Sequence, residues 1–291
     1  MPLRYALITP ARDEAPNLRR LIPCVLAQTV RPSDWIVVDN GSSDDTAELI
    51  RGLADAAWVR LIEVEGARTP EPGQPIVRAF HAGLASLEGP VDVVVKLDAD
   101  VSFEPRYFER LIAEFEADPA LGIASGSCFE QTGGGRWVER HVTEAHVRGA
   151  TRAYRWACLQ DVLPLEERVG WDGIDELKAN IRGWRTGIVP GLPFRHHRAV
   201  GERDGAATAR WVRQGRASHY MGYRLPYLVL RTLHRVRRDP AAVAMLWGYL
   251  QALLRREGRY GDEAVRRHLR ERQSLRNLPL RVREAFGRRG T

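Results

Sequence analysis

Val91-Asp92-Val93-Val94-Val95-Lys96-Leu97-Asp98-Ala99-Asp100 decides how this chain folds. An apolar run of strand formers ends in two carboxylates at i and i+2, with only alanine between them. In an extended chain those positions point the same way. Two hard oxygen ligands therefore project together from the carboxyl end of a strand, the edge where open α/β sheets bind ligands. Such a pair suits Mg²⁺ or Mn²⁺ shared with a diphosphate. Two acids around one residue are, taken alone, more often a solvated turn. The apolar strand before them and the rest of the chain favour the ligand reading.

Outward from this stretch, strands and helices alternate. Arg4–Thr9, Trp35–Val38 and Val59–Val64 read as strands. Leu18, Leu21, Ile22, Val25 and Leu26 fall at helical spacing. Gly41-Ser42-Ser43-Asp44-Asp45 is a turn with an N-cap, ahead of a helix through Leu49 and Leu53. A Pro-rich loop over Thr69–Pro75 precedes a helix carrying Ile76, Val77, Phe80, Leu84 and Leu87 inward, and Pro105 opens one with Tyr107, Phe108, Leu111, Ile112 and Phe115 inward. This β-α-β-α order predicts an α/β fold with a mostly parallel twisted sheet and right-handed crossovers. Ile123–Phe129 and Arg136–Val142 read as strands around Gly133-Gly134-Gly135. An irregular stretch leads to Trp171-Asp172-Gly173-Ile174-Asp175-Glu176-Leu177 and a short helix to Arg182. A strand over Arg185–Val189 follows, then Pro193-Phe194-Arg195-His196-His197-Arg198; from about Ala206 the chain reads as helical.

The chain has 291 residues, 44% of them hydrophobic, enough to bury a large core. Three widely spaced cysteines without a CxxC predict reduced, packed thiols in a cytosolic protein, with neither a disulfide framework nor a zinc site. A strand starts almost at once, with no basic start and long apolar core, so no signal peptide is expected. The apolar window Ala241–Leu254 is too short and mixed to span a bilayer. Neither G-x-G-x-x-G nor a P-loop is present, which argues against dinucleotide and ATP chemistry.

The net charge of +7 hides a division. From Arg203 onward there are 21 Arg, no Lys and 7 acids, for +14, which leaves −7 on residues 1–202. We expect an acidic catalytic domain over 1–202 and a basic helical appendage over 203–291. Arginines interleaved with Trp211, Trp247, Tyr220, Tyr223, Tyr227 and Tyr249 suit a solvated helical cap or an anionic membrane surface about equally. Basic helices also permit nucleic-acid binding, but no such motif is present and acidic site motifs have no use for a polyanion, so no nucleic-acid partner is expected. The expected location is cytoplasmic, with peripheral attachment at the inner face of the cell membrane as the extension.

Five motifs in chain order resemble those of the family 2 glycosyltransferases with a GT-A fold, over roughly residues 3–200. Thr9-Pro10-Ala11-Arg12-Asp13-Glu14 is similar to the family's opening P-x-x-N-E loop, with Asp13 where Asn is usual. Val37-Val38-Asp39-Asn40-Gly41-Ser42-Ser43-Asp44-Asp45-Thr46 resembles its V-D-D/N-G-S-x-D-x-T signature, and Lys96–Asp100 its D-x-D. Gly149-Ala150 looks like its acceptor-side G-A loop. Trp171-Asp172 stands where the family has E-D, and His196-His197 where many members place a late histidine.

The resemblance implies a metal-dependent, inverting transfer of sugar from a nucleoside diphosphate to a hydroxyl acceptor, which a lipid can carry. UDP is the favoured carrier, with GDP and dTDP as alternatives. Thr9, Pro10, Ala11, Arg12, Glu14, Asp39, Asn40, Gly41, Lys96, Asp98 and Ala99 would line the nucleotide sugar. Asp98 would face the ribose and also border the metal, and Asp100 would hold Mg²⁺ or Mn²⁺. His196 or His197 would complete the shell; side chains alternate along a strand, so only one of the two can do so, and His196 is preferred. Gly149, Ala150 and Trp171 would lie on the acceptor side. Asp172 is the candidate general base and Asp175, one turn on, the runner-up; an N-cap role competes for Asp172. The alternatives are a nucleotidyltransferase, which would normally show a glycine-rich basic loop after strand one, and a non-catalytic nucleotide-sugar-binding or membrane adaptor protein.

Overall fold

The computed structural model describes residues 3–53, 55–66, 73–132, 134–140, 146–198, 207–237 and 239–274. Strands β1 (Tyr5–Ala11), β2 (Asp34–Asp39), β3 (Val59–Glu63) and β4 (Val93–Leu97) lie parallel in the order β3-β2-β1-β4. Every residue of β2 and β4 is buried, as strands covered on both faces require. Their side chains alternate between two cores. Tyr5, Leu7, Trp35, Val37, Val93 and Val95 pack with helices α1 (Ala15–Leu26), α2 (Thr46–Arg51) and α4 (Tyr107–Ala117). Ala6, Ile8, Ile36, Val38 and Val94 pack with α3 (Gln74–Ala85), α5 (Trp156–Val162) and α6 (Trp171–Ile181). Each fully buried Leu, Ile, Val or Phe contributes roughly 1.5–3 kcal/mol, so this double layer is the main source of stability.

Beyond β4 the sheet changes character. Its order continues through β8 (Thr151–Arg155), β6 (Leu121–Gln131), β9 (Arg185–His196) and β5 (Val101–Phe103), with β7 (Trp137–Glu139) on β6. β8 runs antiparallel to both β4 and β6, whereas β6 and β9 are parallel. Strand β8 replaces part of the expected irregular stretch. Strand β9 runs seven residues past its expected end at Val189, because the register between β6 and β9 slips beside Pro190 and pairing resumes at Pro193. That continuation sets His196 opposite Val101, just past the paired carboxylates.

The tail is helical: α7 (Ala207–Met221), α8 (Leu225–Val236), a 3-10 turn (Pro240–Val243), α9 (Ala244–Leu254) and α10 (Glu263–Arg272). α7 and α9 cross through glycines. A Cβ on Gly215 would stand 2.0 Å from the Met245 carbonyl oxygen, and one on Gly248 2.1 Å from that of Val212. Val265 and Leu269 of α10 and Met221 of α7 pack on Ile174 and Leu177 of α6. The expected division at 202/203, Gly133, residues 141–142 and residues 69–72 of the Pro-rich loop lie outside the described residues. Among the described residues no helix is long and apolar enough to cross a membrane.

Candidate active site

The carboxyl ends of β1, β2 and β4 converge. Past β4, the Asp98 amide donates to the Ala150 carbonyl at 2.8 Å. Buried Lys96 donates from Nζ to Asp98 Oδ1 and, at 3.0 Å, to the Gly149 carbonyl, and lies 5.6 Å from the centre of the Trp171 ring. Lys96, Asp98, Gly149, Ala150 and Trp171 are thus one contiguous wall. Ala99 is buried beneath it. A Cβ on Gly149 would meet the Trp171 ring at 3.4 Å, so the ring closes tightly over the loop.

Asp98, Asp100 and His196 present ligand atoms within 4.8 Å of one another. His196 Nε2 stands 3.2 Å from Asp100 Oδ1. Asp100 Oδ1 and His196 Nδ1 are buried and make no well-formed hydrogen bond; each has only an ion-pair contact, Oδ1 with His196 Nε2 and Nδ1 with Glu130 Oε1 at 3.9 Å. A buried polar atom left so is costly, and a divalent cation satisfies such atoms. Burial raises the Asp98 carboxyl above its usual range, with Asp100 adding to the rise and Lys96 opposing it. Burial also works against charge on Asp100, but His196 and Arg198 hold that carboxyl below its usual range. Burial depresses the His196 imidazole; the Asp100 and Glu130 carboxylates overcome this and raise it to about 9. The donor set of two carboxylates and an imidazole fits Mn²⁺ or Mg²⁺.

A second group, Cys128, Glu130 and His196, is equally compact. Two of its three members already engage Arg148, whose Nη1 donates to Cys128 Sγ at 3.0 Å and to Glu130 Oε1 at 2.6 Å. That guanidinium supplies the positive charge there. His197 faces away from the carboxylates: its Nε2 is 2.7 Å from Ser102 Oγ, its ring meets Trp137 edge-on, and burial lowers it to about 4.

The first loop is drawn toward the same place by a residue given no role from sequence. Arg198 donates to both Glu14 oxygens, at 3.0 and 2.7 Å, and stands 3.2 Å from Asp100 Oδ2. Its position directly after the histidine pair was the available signal. Thr9 is placed differently from expectation: its hydroxyl accepts from Trp35 Nε1 at 3.0 Å in the core, so Thr9 braces the strand. Pro10 and Ala11 pair with Val38 and Asp39, and the Asn40 amide donates to the Ala11 carbonyl at 2.9 Å. Asp39 accepts from the Ser42 amide and hydroxyl, a turn that Gly41 completes at φ +73°. Arg12 is half exposed beside Asp13 and Gly66.

On the acceptor side, α6 begins earlier than expected, at Trp171, with Gly170 at φ +93° as its N-cap residue. Asp172 is therefore inside the first turn and is not the cap. Its carboxylate is one-third exposed and lies 3.9 Å from His146 Nε2; His146 Nδ1 is 3.0 Å from Glu176 Oε2. Asp175 is 1% exposed. It is gripped by Arg152 and Tyr154, and burial pushes it up to about 7 against the pull of Arg152. Of the two candidate bases, Asp172 alone has a carboxylate open to an incoming molecule. His146 and Arg152 had no distinguishing sequence signal; only the fold brings them beside Asp172 and Asp175.

The model of the family described as Glycosyl transferase family 2 matches residues 6–163, just over half the chain. The chain belongs to glycosyl transferase family 2. The chain is 30% identical over 121 residues to an uncharacterized glycosyltransferase of Nostoc sp., a match covering 42% of this chain and 35% of that protein. It is 31% identical over 103 residues to the undecaprenyl-phosphate 4-deoxy-4-formamido-L-arabinose transferase of Klebsiella pneumoniae, covering 35% and 30%. The chain thus spans about a third of the length of these curated relatives. The mannosyltransferase PcManGT from Pyrobaculum calidifontis, solved with GDP-Man and Mn²⁺, superposes with a TM-score of 0.57 at 17% identity, over 99% of this chain and 89% of that one. That likeness identifies the architecture as the GT-A type. The family 2 match takes in the first loop, the Asp39 turn, the paired carboxylates and the Gly149-Ala150 loop; the histidines and the tail lie beyond it.

Proposed function

We propose that this chain is a metal-dependent inverting glycosyltransferase that moves a sugar from a nucleoside diphosphate to a hydroxyl acceptor, in polysaccharide, glycolipid or other glycoconjugate synthesis. The observation that carries this is the cluster of Asp98, Asp100 and His196, three metal-ligating side chains whose donor atoms lie within 4.8 Å of one another at the carboxyl end of β4. Asp100 and His196 would hold Mn²⁺ or Mg²⁺ with Asp98 beside them, and the ion would neutralise the diphosphate of the leaving group. Asp39, Asn40 and the first loop border the nucleoside side of the cleft; Arg198 and Lys96 bring positive charge to it. Asp172 takes the proton of the acceptor hydroxyl while that oxygen bonds to the anomeric carbon and the carbon–phosphate-oxygen bond breaks on the opposite face. Trp171 and the Gly149-Ala150 loop shape the acceptor wall and exclude water.

The donor is read as a UDP-sugar, the family's commonest, with GDP and dTDP as alternatives. The name of the Klebsiella relative, which includes undecaprenyl phosphate, supports a lipid-linked acceptor and hence peripheral attachment to anionic membrane. The test is sugar transfer with each nucleotide sugar and Mn²⁺. Asp100→Ala should abolish metal-dependent nucleotide binding, and Asp172→Asn should keep donor binding while losing about a hundredfold or more in turnover. Donor binding without turnover on any acceptor offered to the unaltered protein would instead make it a nucleotide-sugar-binding protein.

A further inference from the structure

Eight of the eleven exposed large apolar side chains among the described residues lie within Leu225–Leu254. Three of them, Trp247, Leu250 and Leu254, recur at intervals of three and four on one face of α9, and Val243, four positions before Trp247, ends the 3-10 turn that leads into it. Val243 is 59%, Trp247 55% and Leu254 76% exposed. The opposite face is filled: Met245 and Tyr249 pack on Leu228 of α8, and Gly248 lies against α7. Neighbouring α8 adds Leu230 and Leu233 to the exposed set.

We infer that this face of α9 inserts into the interfacial layer of an anionic bilayer, and that the enzyme thereby takes its acceptor from lipid-anchored molecules. The occupant follows from charge. The tail carries +14, so a second copy of this face would bring like charge against like, whereas anionic headgroups complement it. Arg255 and Arg256, both exposed, follow Leu254 directly, where their guanidinium groups can reach phosphate as the leucine enters the acyl boundary. At 11 residues α9 is too short to span, so it lies in the plane of the interface. Because α10 and Met221 of α7 pack on α6, a docked tail fixes the helix that carries Asp172 relative to the bilayer. The acceptor class rests on the glycosyltransferase reading above; the insertion itself does not.

The test is flotation of the full chain with vesicles of phosphatidylcholine alone or mixed with phosphatidylglycerol, without donor. Binding to the anionic vesicles is expected, with a fraction that persists at high salt. Lipids brominated on the acyl chain should quench wild-type tryptophan fluorescence but not that of Trp247→Phe. Trp247→Glu combined with Leu254→Glu should weaken flotation at least about tenfold, the scale of losing one buried apolar side chain, while transfer to a water-soluble acceptor is retained. No flotation on anionic vesicles, flotation with no quenching that depends on Trp247, or a dimer that the double variant converts to a monomer would each overturn the insertion. Absence of transfer to every soluble acceptor, with flotation intact, would count against the enzyme reading instead.

Discussion

Arg152 grips Asp175 through two hydrogen bonds, Nη2 to Oδ1 at 2.6 Å and Nε to Oδ2 at 3.0 Å, with both side chains out of water. Tyr154 adds a third, from its hydroxyl to Oδ2 at 2.5 Å. This pair holds the first turn of α6 against β8, since Arg152 also donates to the Asp172 carbonyl at 2.8 Å. It fixes the backbone of the candidate base without presenting a second one.

Removing Asp175 takes from the buried Arg152 its two-bond partner and leaves Glu176, 3.2 Å from Nη1, to face that charge, at a cost of up to roughly 3–5 kcal/mol. Asp175→Ala should therefore lower stability by about that much in urea unfolding, while Asp172→Ala, at a one-third exposed position, should change it by less than about 1 kcal/mol. An Asp175→Ala protein of unaltered stability but without transfer activity would hand the base role to Asp175.

The two histidines should separate cleanly in a metal titration. Nucleotide-dependent Mn²⁺ binding, followed by calorimetry, should weaken in His196→Ala by at least the roughly 10–100-fold typical of changes around a metal shell. His197→Ala should leave it unchanged, because its ring engages Ser102 and Trp137. Equal losses in both variants would contradict the alternation along β9.

His146 predicts a pH dependence. Desolvation disfavours its charged form, but Glu176 and Asp172 outweigh that and raise it above the ordinary value of 6.5. A histidine raised in the folded state stabilises the protein fully below about pH 6.5, and that stabilisation is lost as pH rises through the folded value. His146→Gln should thus lower the thermal midpoint more at pH 6 than at pH 9. A deficit that is the same at both would mean the imidazole is neutral throughout.

Thiol labelling should sort the cysteines. Burial pushes Cys158 up to about 12 and raises Cys128 as well, so neither yields thiolate at neutral pH. Cys24 is partly exposed on α1. A maleimide should modify Cys24 in the native protein, and all three only in denaturant; native modification of Cys128 would mean that the Arg148–Glu130 cluster opens.

Much of this was legible from local pattern. Val93–Leu97 and Trp35–Val38 read as buried parallel strands because both faces are apolar; Asp98 and Asp100, expected to point together by the period of a strand, lie instead in the turn that follows β4. β8 was not legible, because Thr151-Arg152-Ala153-Tyr154-Arg155 carries charge like a surface segment. Arg152 becomes fully buried through Asp175 and Glu176, more than twenty positions away in sequence. The same holds for Glu14 and Arg198, separated by 184 positions, and for His146 beside Asp172. Side-chain periodicity reports which face is dry; it carries no information about which distant charge arrives to neutralise a buried one.

The glycine crossing of α7 and α9 makes the tail a ruler. With backbone in contact at Gly215 and Gly248, neither helix can slide along the other without collision. Met221 ties α7 to α6 in turn. Two helix contacts, each about 8–10 Å between axes and six residues apart along α7, then hold α9 at a fixed separation from the helix that carries Asp172. With α9 lying in a bilayer surface, the reacting hydroxyl must stand off the hydrocarbon by that fixed height. The enzyme would then be sensitive to the length of whatever polar spacer joins the hydroxyl to its anchor, and indifferent to the length of the anchor's buried chain.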